Sequence, residues 1–435
     1  MANDNKVLIV GMGYVGLPLA LSFIRGGCSV LGLDVDEEKV GALNGGRSYL
    51  GHIPDQQIAD AVATGRFEAT LDFSRCSEVD AVIIAVPTPL SPHRDPDLSY
   101  VEATCRSIGP HLTADTLIIL ESTTYPGTCR EVMIPILREE SSLSIGQDLF
   151  VAYSPEREDP GNIDFETQTI PKLVGGQNPA VTERAVALYR KALDLVIPVD
   201  SMEIAELAKL FENIFRAVNI ALVNEMKVLC DRMDVDVWKV IDAAGTKPFG
   251  FMKFTPGPGI GGHCIPVDPF YLTWKAKEYG INTRFIELAG EVNRGMPQYV
   301  IDRLREALSE DHKALTGAKV LVLGVAYKKG VEDMRESPSL DLIELLLKAG
   351  ADVRYHDPFV PSLPQMRKHN LALGGSRPLT EAILSESDAV LIATDHDEVD
   401  YQYVMNQAHL VVDTRNAVRS QLGSQVVGKA RLVHA

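Results

Sequence analysis

The sequence predicts an α/β protein built as two Rossmann-like, doubly wound domains joined by a long central helix and a helical middle region. Three observations carry this. The N-terminal part alternates short apolar runs with helical stretches, the pattern of a parallel sheet covered on both faces. Residues 202–233 contain neither Gly nor Pro and are apolar on most sides, as a buried helix is. A second strand–helix alternation opens near residue 320 and echoes the first: KVLVLGVA repeats KVLIVGMG, and SDAVLIAT repeats VDAVIIAV.

In chain order, strands are expected over 6–10, 29–34, 81–86, 116–121 and 149–153, with a helix over 16–25. The long helix follows, and helical character continues to about residue 308. The second unit should place strands at 320–324, 351–356, 389–394 and 410–413, with a helix over 337–349. Three domains result: 1–199, a dinucleotide-binding Rossmann-like domain; 200–312, a central helical domain; and 313–435, the second Rossmann-like domain. A chain of 435 residues is too long for one core.

Hydrophobic residues make up 46% and charged residues 23%, ordinary values for a globular protein. The 42 Lys and Arg stand against 59 Asp and Glu, a net charge of −17 that argues against nucleic acid as a partner. A local basic pocket for a small anion is still compatible with it. The N-terminus carries no signal-peptide pattern. No apolar run reaches the ~18–20 residues that span a bilayer, so no membrane partner is expected. Cys28, Cys76, Cys105, Cys129, Cys230 and Cys264 form no CxxC pair, which points to a reduced, cytoplasmic protein.

Gly11-Met-Gly13-Tyr14-Val15-Gly16 follows a strand and opens a helix. The first glycine permits a tight turn, the second lets the backbone approach a pyrophosphate, and the third lets helix pack on strand. Asp34 ends the next strand, where a carboxylate suits a ribose 2′-hydroxyl and repels a 2′-phosphate, so NAD is the expected cofactor. Lys39 reads as a surface lysine. Pro87 and Thr88 lie in a loop stiffened by Pro87 and Pro89, beyond a strand C-terminus where α/β sheets bind ligands. Thr123, in Glu121-Ser-Thr-Thr124, can face the nicotinamide or position a water; helix capping is the other reading.

Gly257-Pro-Gly-Ile-Gly261-Gly-His263-Cys264-Ile-Pro-Val-Asp268 surrounds one cysteine with glycines. A helix beginning near Cys264 would put Cys264 and Asp268 on one face at i,i+4 and lower the thiol pKa at its N-terminus, making Cys264 a nucleophile. The other five cysteines read as buried and inert. His263 and Cys264 lack the second ligand cluster a zinc site needs, so no metal is expected. On the long helix Lys209 and Asn213 form a polar stripe at i,i+4, with Glu206 available as a salt-bridge partner for Lys209. Ser154-Pro-Glu156-Arg157 puts a carboxylate and a guanidinium after a strand; Glu156 can act as general base through water, or the segment can be a solvated charged loop.

GxGxxG, SPE, the K-x-x-x-N helix, GGHCxxxD and Tyr327-Lys328-Lys329-Gly-Val-Glu-Asp-Met-Arg335-Glu-Ser fall in an order that resembles the UDP-glucose/GDP-mannose dehydrogenase family over nearly the whole chain. The resemblance implies an NAD-dependent four-electron oxidation at C6 of a nucleotide sugar and a homodimer built on the central helix. Cys264 would attack the C6 aldehyde and pass through a thiohemiacetal and a thioester that water hydrolyses. Lys209 would stabilise oxyanions, Asn213 and Asp268 would order water and hydrogen bonds, Glu156 would be the catalytic glutamate and Thr123 a water-positioning threonine. Arg335 would reach the NAD pyrophosphate. Lys328, Tyr327, Gly261, Arg157, His263 and Arg415 would contact the UDP-sugar, with Lys209 and Asn213.

The GGHC motif is similar to the branch acting on UDP-N-acetylhexosamines, and SPEREDPGN and ESTTYPGT resemble the N-acetylglucosamine 6-dehydrogenases more than the N-acetylmannosamine enzymes. One departure is Lys247, near the place where the family has a substrate-contacting arginine; lysine supplies charge without a bidentate fork. A two-electron 3-hydroxyacid dehydrogenase shares the NAD domain and the K-x-x-x-N helix, but it needs neither Cys264 nor residues 319–416. A non-catalytic nucleotide-sugar binder would have lost some of the catalytic positions, and all are present.

Overall fold

Residues 5–51, 53–91, 93–157, 169–262, 265–364, 369, 371, 373–423 and 426–435 are described by a computed structural model. Two expected site residues, His263 and Cys264, lie outside the described residues. The chain divides into two units, Met1–Glu212 with Phe270–Asn282, and Asn213–Pro269 with Thr283–Ala435. Both are α/β, as the strand–helix alternation requires.

The first unit holds eight strands: β1 (Lys6–Val10), β2 (Ser29–Leu33), β3 (Phe67–Thr70), β4 (Ala81–Ile84), β5 (Thr116–Leu120), β6 (Leu149–Tyr153), β7 (Lys172–Gly176) and β8 (Val196–Val199). Their order is β3-β2-β1-β4-β5-β6-β7-β8, so the chain reverses direction across the sheet between β1 and β4. That switch point is where open α/β sheets bind ligands, beyond the strand C-termini. β1 shows why both faces must be covered. Val7 and Ile9 enter one core with Phe23 and Tyr189, while Leu8 and Val10 enter the other with Val101 and Met133. Alternate residues buried on opposite faces give the continuous apolar run that marked the strand.

The sequence pattern missed β3, β7 and β8. β3 reads FEAT, β7 opens on a lysine and ends on two glycines, and β8 is a half-exposed edge strand with a proline. None shows an uninterrupted apolar run. β7 also pairs antiparallel to β6, so the sheet is parallel only up to that step. A reversed strand near the edge of a large parallel sheet is a common variation.

The second unit holds β9 (Lys319–Leu323), β10 (Asp352–His356), β11 (Ala389–Ile392), β12 (Leu410–Asp413) and β13 (Arg431–His434), in the all-parallel order β10-β9-β11-β12-β13. Val320 and Val322 face one core, Leu321 and Leu323 the other. The helix Pro338–Lys348 has Ser337 as its N-cap. The long helix runs Met202–Arg232, and the helices Val237–Ala244, Asp268–Glu278 and Arg284–Glu310 follow it. No helix among the described residues is long and apolar enough to cross a membrane.

One element starts later than expected. The helix after the glycine-rich segment begins at Asp268, with residues 265–267 in a turn. Prolines at 266 and 269 explain this. The residue before a proline disfavours the α conformation, whereas a proline in the first turn loses no hydrogen bond.

Candidate active site

At the β1 turn each glycine has a distinct steric consequence. Gly11 sits at φ +93°, and a Cβ there would fall 2.5 Å from the Ala85 carbonyl oxygen. A Cβ on Gly16 would fall 1.9 Å from the Gly11 carbonyl oxygen, so only glycine lets the helix Gly16–Arg25 approach the strand. A Cβ on Gly13 would meet nothing within 4 Å: that position faces open space, as a backbone that must receive a pyrophosphate should. Tyr14 and Val15 complete the turn. Asp34, 8% exposed, accepts the Met12 N–H at 2.9 Å and the Asp36 N–H at 3.1 Å, which fixes its carboxylate beside the turn. Lys39 lies 3.7 Å from it. Tyr49 was not anticipated; its hydroxyl donates to the Met12 carbonyl and braces the same turn. These residues fit an adenine dinucleotide.

The loops beyond β4 and β5 border the same switch point. Pro87 is exposed and Thr88 is buried, with the carbonyls of Thr88 and Pro89 accepting from the Tyr271 hydroxyl at 2.9 and 3.2 Å. Ser122 donates to the Val86 carbonyl at 2.7 Å, tying the two loops together next to half-buried Thr123. Glu156 accepts the Arg157 N–H at 2.7 Å and the Lys172 ammonium at 2.9 Å. The Arg157 guanidinium turns to Glu212 at 2.7 and 3.2 Å and to the Pro171 carbonyl at 2.6 Å.

On the long helix the structural partnership open to Lys209 is not made. Glu206 instead accepts the N–H groups of Gly127 and Cys129 at 2.6 and 3.0 Å. Burial pushes its carboxyl up to about 7, against the pull of those two hydrogen bonds. Lys209, one turn on, is 6% exposed, and among the described residues its ammonium has neither an ion pair nor a hydrogen bond. An ammonium kept from water without a carboxylate is costly unless an anion arrives. Asn213 donates to the Asp268 carboxylate at 2.6 Å, joining the long helix to the start of the helix that follows the glycine-rich segment.

In the second unit the glycine-rich segment packs on the loop after β9. A Cβ on Gly261 would fall 2.7 Å from Tyr327 Cβ and 2.9 Å from Pro338 Cδ, and the Gly262 N–H donates to the Arg335 carbonyl at 3.1 Å. Two of the sequence's most unusual segments are thus adjacent, and the glycines serve this close packing. The Gly257 N–H is held by Asn224 at 3.0 Å, and Asn224 donates to Asn293 at 2.9 Å, a buried amide pair the sequence did not reveal. A Cβ on Gly257 would fall 2.5 Å from the Arg415 guanidinium, which therefore lies against the segment. The Arg335 guanidinium forks onto Asp333. The Lys328 ammonium stands 5.7 Å over the Tyr327 ring, and Lys329 pairs with Asp397 at 3.0 Å.

This unit carries a carboxylate where the first has Asp34, but it is already committed. Asp357, following β10, accepts the N–H groups of Val325 and Ala326 and lies 3.1 Å from Nε2 of fully buried His396. His396 Nδ1 in turn accepts the Gly330 N–H at 3.3 Å. With its ribose-type carboxylate occupied and lysines in its loop, the second sheet is suited to a phosphate-bearing ligand other than a dinucleotide. The five cysteines other than Cys264 are buried, and burial pushes the Cys76 thiol up to about 11, away from reactivity.

Three family models match in succession. The NAD binding domain of the UDP-glucose/GDP-mannose dehydrogenase family matches residues 5–193, its central domain residues 203–295, and its UDP binding domain residues 321–420. The chain is 34% identical to the UDP-N-acetyl-D-glucosamine 6-dehydrogenase of Pseudomonas aeruginosa, covering 91% of each. It is also 34% identical to the NDP-N-acetyl-D-galactosaminuronic acid dehydrogenase of Ralstonia nicotianae, covering 94% of this chain and 95% of that one. The solved UDP-D-ManNAc dehydrogenase of Pyrococcus horikoshii superposes with a TM-score of 0.85 at 32% identity, covering 98% of each chain.

Proposed function

This chain belongs to the UDP-glucose/GDP-mannose dehydrogenase family, and from that premise we propose that it oxidises C6 of a UDP-N-acetylhexosamine to the carboxylate in two steps. It is an NAD-dependent nucleotide-sugar dehydrogenase; the number of steps, the sugar and the residue roles are our reading. The observation that carries it is Lys209, a buried ammonium on an apolar helix with no carboxylate partner among the described residues. Such a group is prepared for negative charge that exists only during reaction.

NAD, held at the Gly11–Gly16 turn with Asp34 on its ribose, Pro87, Thr88 and Thr123 near its nicotinamide end and Arg335 at its pyrophosphate, supplies the hydride acceptor when bound. Cys264, as thiolate, adds to the aldehyde carbon left by the first oxidation, forming a C–S bond and an alkoxide that Lys209 stabilises. Loss of hydride from that thiohemiacetal leaves a thioester. Water, ordered by Asp268, Asn213 and Thr123 and deprotonated through Glu156, attacks the acyl carbon. The C–S bond breaks, and the carboxylate and the Cys264 thiolate are released. Lys328 and Arg415 provide cations for the diphosphate, Tyr327 and Gly261 shape the sugar end, and Arg157 and His263 belong with the acetamido group.

SPEREDPGN and ESTTYPGT favour the N-acetylglucosamine epimer, while relatives named for other epimers match at the same identity. A panel of UDP-N-acetylglucosamine, UDP-N-acetylgalactosamine, UDP-N-acetylmannosamine and UDP-glucose, followed by NADH absorbance, decides it. The first should show the highest kcat/KM, and a higher value for any other sugar reassigns the substrate. We also propose a homodimer in the reduced cytoplasm. Ile204, Leu207, Phe211, Phe215, Leu222 and Leu229 form an exposed apolar stripe at helical spacing along the long helix, 41–67% exposed. A second copy of the same helix would cover it.

A further inference from the structure

We propose that Lys172 is a positioning residue for Glu156, holding that carboxylate aimed and charged through a buried Glu121–Lys172–Glu156 bridge. The inference rests on the reading of Glu156 as the group that deprotonates water.

Lys172 opens β7 with its side chain 5% exposed. Its ammonium stands 2.8 Å from Glu121 Oε2 and 2.9 Å from Glu156 Oε2. Glu121, just past β5, has a fully buried side chain, and its other oxygen accepts from the Tyr189 hydroxyl. The Tyr189 ring lies 5.6 Å from the same ammonium. Glu156, just past β6, is the one member of the trio that reaches solvent, at 16% exposure, and its Oε1 accepts the Arg157 N–H. Glu121 and Glu156 follow the C-terminal ends of β5 and β6, and Lys172 starts the reversed strand β7, so three neighbouring strands deliver three charged side chains to one edge of the sheet, and Glu156 is the most exposed of them.

The charge count decides what this arrangement does. One ammonium contacts both carboxylates, so Lys172 serves both. Burial works against its ammonium, yet the two carboxylates outweigh that and hold it above the ordinary lysine range. Burial drives the Glu121 carboxyl upward, with Lys172 pulling it back and Glu156 adding to the rise. Tyr189 also feels the Glu156 charge, while the neighbouring Arg157 guanidinium is turned to Glu212. An ion pair serving stability alone is often replaceable by apolar side chains at little cost. A bridge that biases an outward-facing carboxylate has a second signature: charge changes behind it move the pH at which it ionises.

The test is the pH dependence of kcat with NAD and the preferred UDP-sugar, for the full-length protein and for Glu156→Gln, Lys172→Met, Lys172→Arg and Glu121→Gln. Glu156→Gln should slow turnover and remove the acid limb, assigning that limb to Glu156. Lys172→Met should move the limb up by about one pH unit or more, since Glu156 then faces Glu121 without the Lys172 ammonium that now contacts both. Lys172→Arg should restore most of the rate and the limb. Glu121→Gln should move the limb down, because Lys172 then serves Glu156 alone. Should Lys172→Met not fold, the downward shift in Glu121→Gln decides alone. Limbs at the wild-type position in the folded variants, with Glu156→Gln slow, overturn the role of Lys172 only. Normal turnover in Glu156→Gln overturns the reading of Glu156 and the inference with it.

Discussion

Replacing Cys264 with serine is expected to lower steady NADH formation roughly 10³-fold or more while leaving NAD affinity unchanged. The second oxidation needs a tetrahedral carbon bearing a good nucleophile that later becomes a leaving group. A thiolate serves both ends of that requirement near neutral pH, and an unactivated hydroxyl serves neither. On the proposed reading NAD is held at the Gly11–Gly16 turn and Asp34, in a different part of the sequence. Titration of NAD into the variant should therefore match the parent, while progress curves should show at most the first oxidation. Turnover at the parental rate would remove the covalent scheme.

Lys209→Met should cost about 10²–10³ in kcat, the usual consequence of losing one preorganised stabiliser of an oxyanion. Methionine keeps the length and the apolar stem, and the buried ammonium makes no ion pair among the described residues, so the variant should fold with stability equal to or above the parent. That combination separates a catalytic from a structural lysine. A loss of stability with near-parental kcat would assign Lys209 to the fold. Glu206→Gln sharpens the contrast, since Glu206 holds the Gly127 and Cys129 N–H groups rather than Lys209.

How much of this could be read from the sequence depends on whether the constraint is local. Gly11 and Gly16 are each forced by a backbone oxygen within 3 Å of a would-be Cβ, and such constraints leave glycine at fixed spacing in a strand–turn–helix. The fold class was legible for the same reason: strands buried on both faces are written as continuous apolar runs. β7 and β8 were not legible, because a Lys-initiated strand ending in glycines and a half-exposed edge strand lack that run. Groupings assembled from distant segments leave no periodic trace. Glu121, Glu156, Lys172 and Tyr189 meet from four separate segments, and Asn224, Gly257 and Asn293 from three. The helix start at Asp268 was legible in principle from Pro266 and Pro269.

The two-step oxidation itself is tested most directly by counting reducing equivalents. Purified protein given NAD and its preferred UDP-sugar, with NADH measured by absorbance and uronate by chromatography, should yield two NADH for each uronate and no accumulated aldehyde. A ratio near one would contradict the account.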